Sequence, residues 1–213
     1  MALLLQSPYK AKEWNLSNLV GISDHTLEVH FGLYAGYVKN TNLLNEQLVE
    51  LTHNGEAAGA NPVYAELSRR LGFEYNGMVL HEWYFDNLGK DVDGGANNIS
   101  SSSELGRRLG EQWGDIETWK KDFMAVGGMR GVGWAVTYLD PATQRLSNHW
   151  ITLHEDGNIA GFQPVVVMDV WEHAFLLDYK PAERGKYVES FMSNLDVAKI
   201  EARVTGKAGR PVG

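Results

Sequence analysis

The sequence predicts an α+β protein, in which a long antiparallel helical hairpin at the N-terminus precedes a C-terminal α/β domain with a small three-stranded antiparallel sheet flanked by helices. One observation is that apolar residues before residue 91 recur at steps of three and four, as on one face of an α-helix. Another is that strand-like apolar runs separated by turn residues follow residue 130. A segment rich in Gly, Asn and Ser lies between them and divides the chain into predicted domains at 1–91 and 92–213.

Two long helices are predicted before residue 91. Ser23 or Asp24 is a suitable N-cap for the first helix. One face of that helix contains Leu27, His30, Tyr34, Tyr37, Thr41, Leu44, Leu48 and Leu51. After a break at 53–62, the matching face of the second helix contains Tyr64, Leu67, Leu71, Glu74, Met78, His81, Phe85 and Leu88. Because the break is short, we expect the two helices to pack as an antiparallel hairpin.

The second domain is predicted to mix short helices with three strands. Its elements in order are a loop at 91–103, helices near 103–112 and 115–125, strands at 133–139, 146–153 and 164–168, and a helical stretch at 181–203. The tail at 205–213 is expected to be loose.

The composition excludes several classes of function. Across 213 residues, a net charge of -8 disfavours nucleic acid and anionic membrane surfaces as partners. The chain has no cysteine, so disulfides, thiolate zinc sites and cysteine nucleophiles are excluded. The apolar run before Pro8 is too short for a signal peptide or a membrane span, so we expect a cytoplasmic protein.

Two histidines lie on the apolar faces of the predicted hairpin. Either His30 or His81 alone would most simply be a hydrogen-bonded core residue. Two of them on partner helices are the arrangement from which helical bundles build metal sites. The pair therefore predicts half of a metal-binding site.

Asp169 and His173 supply candidates for the other half. Asp169 follows a buried apolar run, and His173 is four positions later. Alone, they could be a helix cap and a surface histidine. Together with His30 and His81 they form a nitrogen and oxygen ligand set that suits iron, manganese or zinc. Since structural zinc sites generally use cysteine, the lack of cysteine favours a catalytic metal.

Four segments resemble a known family. The string D-V-W-E-H-A at 169–174 is similar to the signature of the iron/manganese superoxide dismutases. Segment 26–30, T-L-E-V-H, resembles the family's first ligand motif, and segment 76–85 resembles its second ligand helix. Segment 131–135, G-V-G-W-A, resembles the family's G-S-G-W-A. The segments span nearly the whole chain in the family's order.

The resemblance implies a reaction and a cofactor. The chain is expected to convert superoxide into dioxygen and hydrogen peroxide by redox cycling of one iron or manganese ion per subunit. The ligands implied are His30, His81, Asp169 and His173.

The resemblance also implies a homodimer, with a tetramer as the alternative. It assigns to Glu172 a hydrogen bond with His173 of the partner subunit. An ordinary exposed helix glutamate is the alternative, and the intact motif favours the bridge. Trp134, Trp171 and Arg184 match family residues around the ligands, and Arg184 corresponds to an arginine near the substrate funnel. A solvated surface charge is the simpler interpretation of Arg184.

The sequence departs from the family around the ligands. Many members place a glutamine beside the metal-bound solvent, at one of two locations that here hold Gly77 and His154. Members with histidine at the second location use iron or accept either metal, so iron is favoured and manganese is the alternative. A histidine in an exposed turn is the competing interpretation of His154.

The family's gateway tyrosine is the second departure. It begins a Y-V-x-N-x-N stretch that fits Tyr37, but Tyr37 follows His30 by seven residues instead of eight. Tyr34 is therefore a second candidate. The family's relay histidine is absent, and the tyrosine that would be its partner is replaced by Phe175. The resemblance therefore does not identify the route by which protons reach the site.

Two other functions compete with a dismutase. A relative that kept the fold as a metal-binding or structural protein would be expected to lose ligands, and all four are present. A non-haem iron oxygenase usually has two histidines and one carboxylate, so the third histidine argues against it.

Overall fold

The structure is a computed structural model that describes residues 8–92 and 94–210. The apolar run before Pro8, position 93 of the predicted loop, and residues 211–213 of the predicted tail lie outside the described residues. Within them the elements are α1 (Asp24–His53), α2 (Pro62–Asn87), α3 (Glu104–Trp113), α4 (Ile116–Gly127), β1 (Gly133–Leu139), β2 (Leu146–Thr152), β3 (Gln163–Asp169), α5 (Arg184–Ser193) and α6 (Val197–Val204). Single 3-10 turns lie at Gly95–Asn98, Glu172–Ala174 and Pro181–Glu183.

The helical hairpin forms because both helices have clear N-terminal signals and one buried face. The Ser23 side chain accepts a hydrogen bond from the backbone N–H of Thr26 at the start of α1. Asn61 caps α2 in the same way, and Pro62 occupies its first turn, where a missing N–H costs nothing. The predicted faces place His30 and His81 in the interior between the helices and the second part of the fold.

The sheet brings one ligand candidate to the hairpin. Its strand order is β2-β1-β3 with both pairs antiparallel, and every residue of the central strand β1 is buried. Trp134 of β1 pairs with Asp169 at the end of β3 and with Ile151 of β2. The face of the sheet therefore ends at Asp169, beside α2.

One buried core joins the hairpin to the sheet. It contains Met78, Tyr84 and Phe85 from α2, Trp134 and the run 165–168 from the sheet, and aromatic residues of α4 and α5. The predicted fold class is confirmed by this combination of a long helical hairpin and a three-stranded antiparallel sheet with helices. The domain boundary at 91/92 stays a prediction.

Two expectations about the C-terminal part differ from the structure. The helical stretch predicted at 181–203 is divided into α5 and α6, because the Asn194 side chain bonds the backbone of Val20 and Asp196 caps a new helix. The tail is not loose through residue 210, since Arg210 bonds both Glu82 and Tyr75. No helix among the described residues combines the length and the apolar character that crossing a membrane requires.

Candidate metal centre

Four side chains from three parts of the fold converge at one point. His30 lies in α1, His81 in α2, Asp169 ends β3, and His173 lies in the 3-10 turn that follows. One ligand atom from each lies within 4.8 Å of the others. The side chains of His30, His81 and Asp169 are fully buried, whereas that of His173 is 20% exposed.

The carboxylate of Asp169 is the centre of the cluster. Its Oδ2 lies 3.0 Å from Nε2 of His30, 3.1 Å from Nε2 of His173 and 3.6 Å from Nε2 of His81. Its Oδ1 accepts a hydrogen bond from the backbone N–H of Trp171 at 2.8 Å. Burial alone would raise the pKa of Asp169, but the charge of His173 and the hydrogen bonds of His173 and His30 outweigh it and lower this pKa. Asp169 therefore contributes a negative charge.

His81 shows why the cluster fits a metal ion. Its Nδ1 donates to the backbone carbonyl of Gly77 at 2.6 Å, which leaves a lone pair on Nε2. Burial, and then the neighbouring His30, lower the pKa of His81 well below its usual value, so Nε2 carries no proton at neutral pH. That buried atom has no hydrogen-bond partner among the described residues, and it faces a carboxylate oxygen. A cation bound between them would satisfy both groups, and nitrogen and oxygen donors of this type suit iron or manganese.

His154 is buried beside this cluster and is not an exposed turn residue. Leu153 before it has a positive φ of 54°, which turns the chain inward after β2. The indole N–H of Trp134 donates to Nδ1 of His154 at 3.0 Å. Since an indole can only donate, the proton of neutral His154 lies on Nε2, which donates to the Tyr37 oxygen at 2.7 Å. Burial lowers the pKa of His154 to about 4, so this neutral form prevails at neutral pH.

Tyr37 lies against the second ligand candidate because Gly77 leaves room for it. The rings of Tyr37 and His81 are 5.1 Å apart between centroids. A Cβ at Gly77 would lie 2.6 Å from the Tyr37 ring, so any larger residue would displace the tyrosine. Burial, with smaller contributions from the charges of Asp169 and Glu74, raises the pKa of Tyr37 to about 12. The phenol therefore keeps its proton at neutral pH.

Tyr34 is buried but its hydroxyl is engaged elsewhere. It donates to Oε1 of Glu82 at 3.2 Å and accepts from the backbone N–H of Lys12 at 3.1 Å. The rings of Tyr34 and His81 are 6.5 Å apart. Of the two tyrosines, Tyr37 alone bonds His154.

Two tryptophans form the wall around His154. The Trp171 ring stacks on His154 at 4.8 Å, and its indole N–H donates to the carbonyl of Leu153 at 3.2 Å. The Trp134 ring meets His81 edge-on at 5.0 Å. These aromatic rings pack directly against His81 and His154.

Arg184 and Glu172 lie nearer the surface. The Arg184 guanidinium donates to the backbone carbonyls of Met129 at 2.5 Å and Gly131 at 2.6 Å, and also to that of Val170. Burial lowers the pKa of Arg184. Through its three hydrogen bonds, the guanidinium joins the segment before β1 to the segment after β3. Glu172 is exposed next to the partly exposed His173.

Two residues next to the ligand candidates were not predicted from the sequence. The Tyr187 hydroxyl donates to the backbone carbonyl of Asp169 at 2.6 Å and fixes the end of β3 from α5. Glu82, adjacent to His81, is buried and pairs with Lys12 at 2.8 Å and Arg210 at 3.3 Å. Glu82 lies off the apolar face predicted for α2, and Tyr187 is distant in sequence from Asp169, so no local pattern indicated either contact.

Known proteins are similar in sequence to this chain over most of its length. Residues 101–203 match the family model described as iron/manganese superoxide dismutases, C-terminal domain. The chain is 34% identical to the superoxide dismutase [Fe] of Cupriavidus metallidurans over 192 residues, which covers 88% of this chain and 90% of that one. It is 32% identical to the superoxide dismutase [Mn] 2 of Haloferax volcanii over 186 residues, with coverage of 85% and 86%. Identity to the superoxide dismutase [Fe] of Aquifex pyrophilus is 33% over 189 residues, with coverage of 87% and 85%.

Proposed function

The chain belongs to the iron/manganese superoxide dismutase family, and from this premise we propose that it converts superoxide into dioxygen and hydrogen peroxide. The observation that supports the proposal most is Nε2 of His81, which finds no hydrogen-bond partner in the described part of the chain. This atom is buried 3.6 Å from the Asp169 carboxylate and close to His30 and His173. These four residues would hold one iron or manganese ion per chain.

The four ligand candidates differ in the charge that they would bring to a metal ion. The three histidines provide neutral nitrogen donors, and Asp169 provides the single carboxylate. The Gly77 carbonyl orients His81, and the Trp171 N–H orients Asp169. A bound iron or manganese ion supplies one-electron redox chemistry, which zinc does not because it has a single accessible oxidation state.

Tyr37 is proposed to donate protons at the site, and His154 is proposed to hold the Tyr37 hydroxyl in position. Formation of hydrogen peroxide from superoxide consumes protons, so donors must lie next to the reacting oxygen. His154 donates to the Tyr37 oxygen, which leaves the Tyr37 hydroxyl proton free for donation next to His81. Neither Tyr34 nor Phe175 contributes a hydroxyl in this position, so Tyr37 is assigned as the gateway tyrosine.

Iron is the proposed metal in preference to manganese. The support is the combination of Gly77 and His154, because the family resemblance places a glutamine at one of these two positions and this chain has a histidine at the second. Relatives named for either metal match this chain at similar identity, so the choice rests on these two residues.

A two-fold dimer is proposed to complete the surroundings of His173. Its side chain is 20% exposed while the other three ligand candidates are fully buried. Glu172 is exposed directly beside it, where a partner subunit would bring a second copy of both residues. Glu172 would then accept a hydrogen bond from His173 of the partner subunit.

The test compares one protein loaded with different metals. Protein reconstituted separately with iron, manganese and zinc is assayed for superoxide removal under identical conditions. The zinc form is the matched control, because zinc fits the same donors without redox chemistry. We expect iron or manganese to support rapid superoxide removal and zinc to support none. Iron and manganese forms that are fully loaded but no faster than the zinc form would refute the proposal.

A further inference from the structure

An ion pair on α2 lies beside the Tyr37–His154 pair and has no part in the proposed metal site. The substrate of the proposed function is an anion, and the chain carries a net charge of -8, so attraction must come from local charges. The Arg184 guanidinium is occupied by backbone carbonyls. Arg70 and Glu74 form an ion pair on α2 close enough for both charges to act on Tyr37.

Glu74 is a buried carboxylate held at the edge of the site. Its side chain is only 3% exposed, and its Oε1 lies 2.6 Å from Nη2 of Arg70. Its Oε2 accepts from the side-chain amide of Asn40 at 3.3 Å, one helical turn beyond Tyr37. Without Arg70 this carboxylate would be a buried negative charge with one neutral partner.

Arg70 reaches from that carboxylate to solvent. Its side chain is 51% exposed, and its guanidinium lies 4.2 Å from the centre of the Phe73 ring. The Phe73 ring is 4.6 Å from His154 and 6.2 Å from Tyr37. One aromatic ring therefore separates the cation from the residues proposed to donate protons.

Both charges act at the site itself. After burial and Asp169, the Glu74 carboxylate raises the pKa of Tyr37 and the Arg70 guanidinium lowers it. Charges separated by less than a Debye length of about 8 Å are only partly screened at physiological salt. An anion approaching Tyr37 is therefore exposed to the field of this ion pair.

We propose that Arg70 determines the affinity of the site for small anions, by neutralising Glu74 and presenting a cation beside the Tyr37–His154 pair. The inference rests on the proposed function for the identity of the anion, superoxide. It assigns Arg70 a role in capture, with no part in the chemical step.

The experiment is a double-mutant cycle in the metal-loaded protein, called the charge cycle here because each substitution removes one charge. Arg70→Gln, Glu74→Gln and the double variant change the local charge by minus one, plus one and zero. Arg69→Gln and Glu66→Gln are matched controls, since that pair lies on the same helix with side chains 71% and 65% exposed. The two readouts are the second-order rate constant for superoxide loss as a function of salt, and the affinity for azide measured by absorption. Metal content and thermal midpoint are recorded for each variant.

We expect Arg70→Gln to lower the rate constant and the azide affinity about threefold at low salt, with the difference shrinking as salt rises. Glu74→Gln should raise both, and the double variant should lie near the parent. Equal values for Arg70→Gln and Arg69→Gln would overturn the inference. If Arg70→Gln does not fold, the double variant is compared with Glu74→Gln, and equal values there would overturn it too.

The azide readout separates the two claims. Azide affinities that follow the charge cycle in a protein without superoxide activity would support anion capture and refute the proposed function. An active parent with azide affinities and rates indifferent to Arg70 would refute the capture role and leave the proposed function standing.

Discussion

At the residue scale, the state of His154 follows from its neighbours. The Trp134 indole can only donate, so it fixes the His154 proton on Nε2 and aims that N–H at the Tyr37 oxygen. Gly77 permits the arrangement, because a side chain there would occupy the space of the Tyr37 ring. The orientation of the Tyr37 hydroxyl therefore depends on three other residues.

Replacing His154 by glutamine tests this arrangement. Glutamine retains one donor and one acceptor, but their positions differ from those of an imidazole, so the Tyr37 hydroxyl will be held differently. We expect His154→Gln to keep metal content near that of the parent while changing the ratio of iron-supported to manganese-supported superoxide removal. The measurement is activity of the separately reconstituted forms. A ratio within error of the parent would show that His154 does not influence metal preference.

The four ligand candidates can be named from local motifs, whereas the residues around them depend on packing between distant segments. His30, His81, Asp169 and His173 occur in contiguous motifs whose order matches the family, so no knowledge of packing is needed. The choice between Tyr37 and Tyr34 depends on which hydroxyl finds a partner across the helix interface. That partner, His154, is separated from Tyr37 by 117 residues, so no local pattern contains the answer.

At the element scale, the start of α1 is joined to the turn that follows His173. The Asp178 carboxylate accepts hydrogen bonds from the Ser23 backbone N–H at 2.9 Å and from the Thr26 hydroxyl at 2.7 Å. The Tyr179 hydroxyl donates to the carbonyl of Gly21 at 2.6 Å. These bonds set the position of the helix that carries His30 relative to the segment that carries His173.

Asp178→Ala should therefore loosen the metal site from a distance. Hydrogen bonds to a charged group contribute about 1.5–3 kcal/mol, so we expect a lower free energy of unfolding and a faster loss of metal to a chelator. Asp24→Ala is the control, because Asp24 lies in the first turn of α1 and its side chain accepts a hydrogen bond from the nearby Asn18 backbone N–H. Equal chelator release rates in the two variants would contradict a positioning role for Asp178.

The division of the predicted helix at 181–203 shows where local patterns are insufficient. The helical pattern is real on both sides of Asn194, as α5 and α6 demonstrate. The helix stops there because the Asn194 side chain bonds Val20, a residue 174 positions away. The long helices and the strands depend on local periodicity and turn residues, so those were predictable.

At the scale of the whole molecule, both ends of the described chain meet beside a ligand candidate. Lys12 from the N-terminal arm and Arg210 from the C-terminal tail pair with Glu82, the residue after His81. Arg210 also donates to the Tyr75 hydroxyl at 2.8 Å. The two ends of the described chain are therefore joined to α2 at the residue next to His81.

The proposed dimer yields a prediction for Glu172. If Glu172 forms a buried, charge-assisted bond across the two-fold axis, its removal leaves the partner unpaired, at a typical cost on the order of 3–5 kcal/mol. We expect Glu172→Ala to shift the equilibrium towards monomer, as measured by sedimentation over a dilution series. The same variant should retain its metal less well, as measured by metal analysis. Glu111→Ala, an exposed glutamate on α3, is the charge-matched control. A Glu172→Ala protein that stays dimeric at nanomolar concentration and fully active would contradict the bridge.

The central claim is that His30, His81, Asp169 and His173 together hold a redox-active metal, and elemental analysis of purified variants tests it most directly. His149→Ala serves as the control, since His149 lies on β2 and bonds Ser147. We predict one iron or manganese ion per chain in the parent and in His149→Ala, and a loss of most of that metal in His81→Ala and in Asp169→Ala. Full metal content in both ligand variants would contradict the claim.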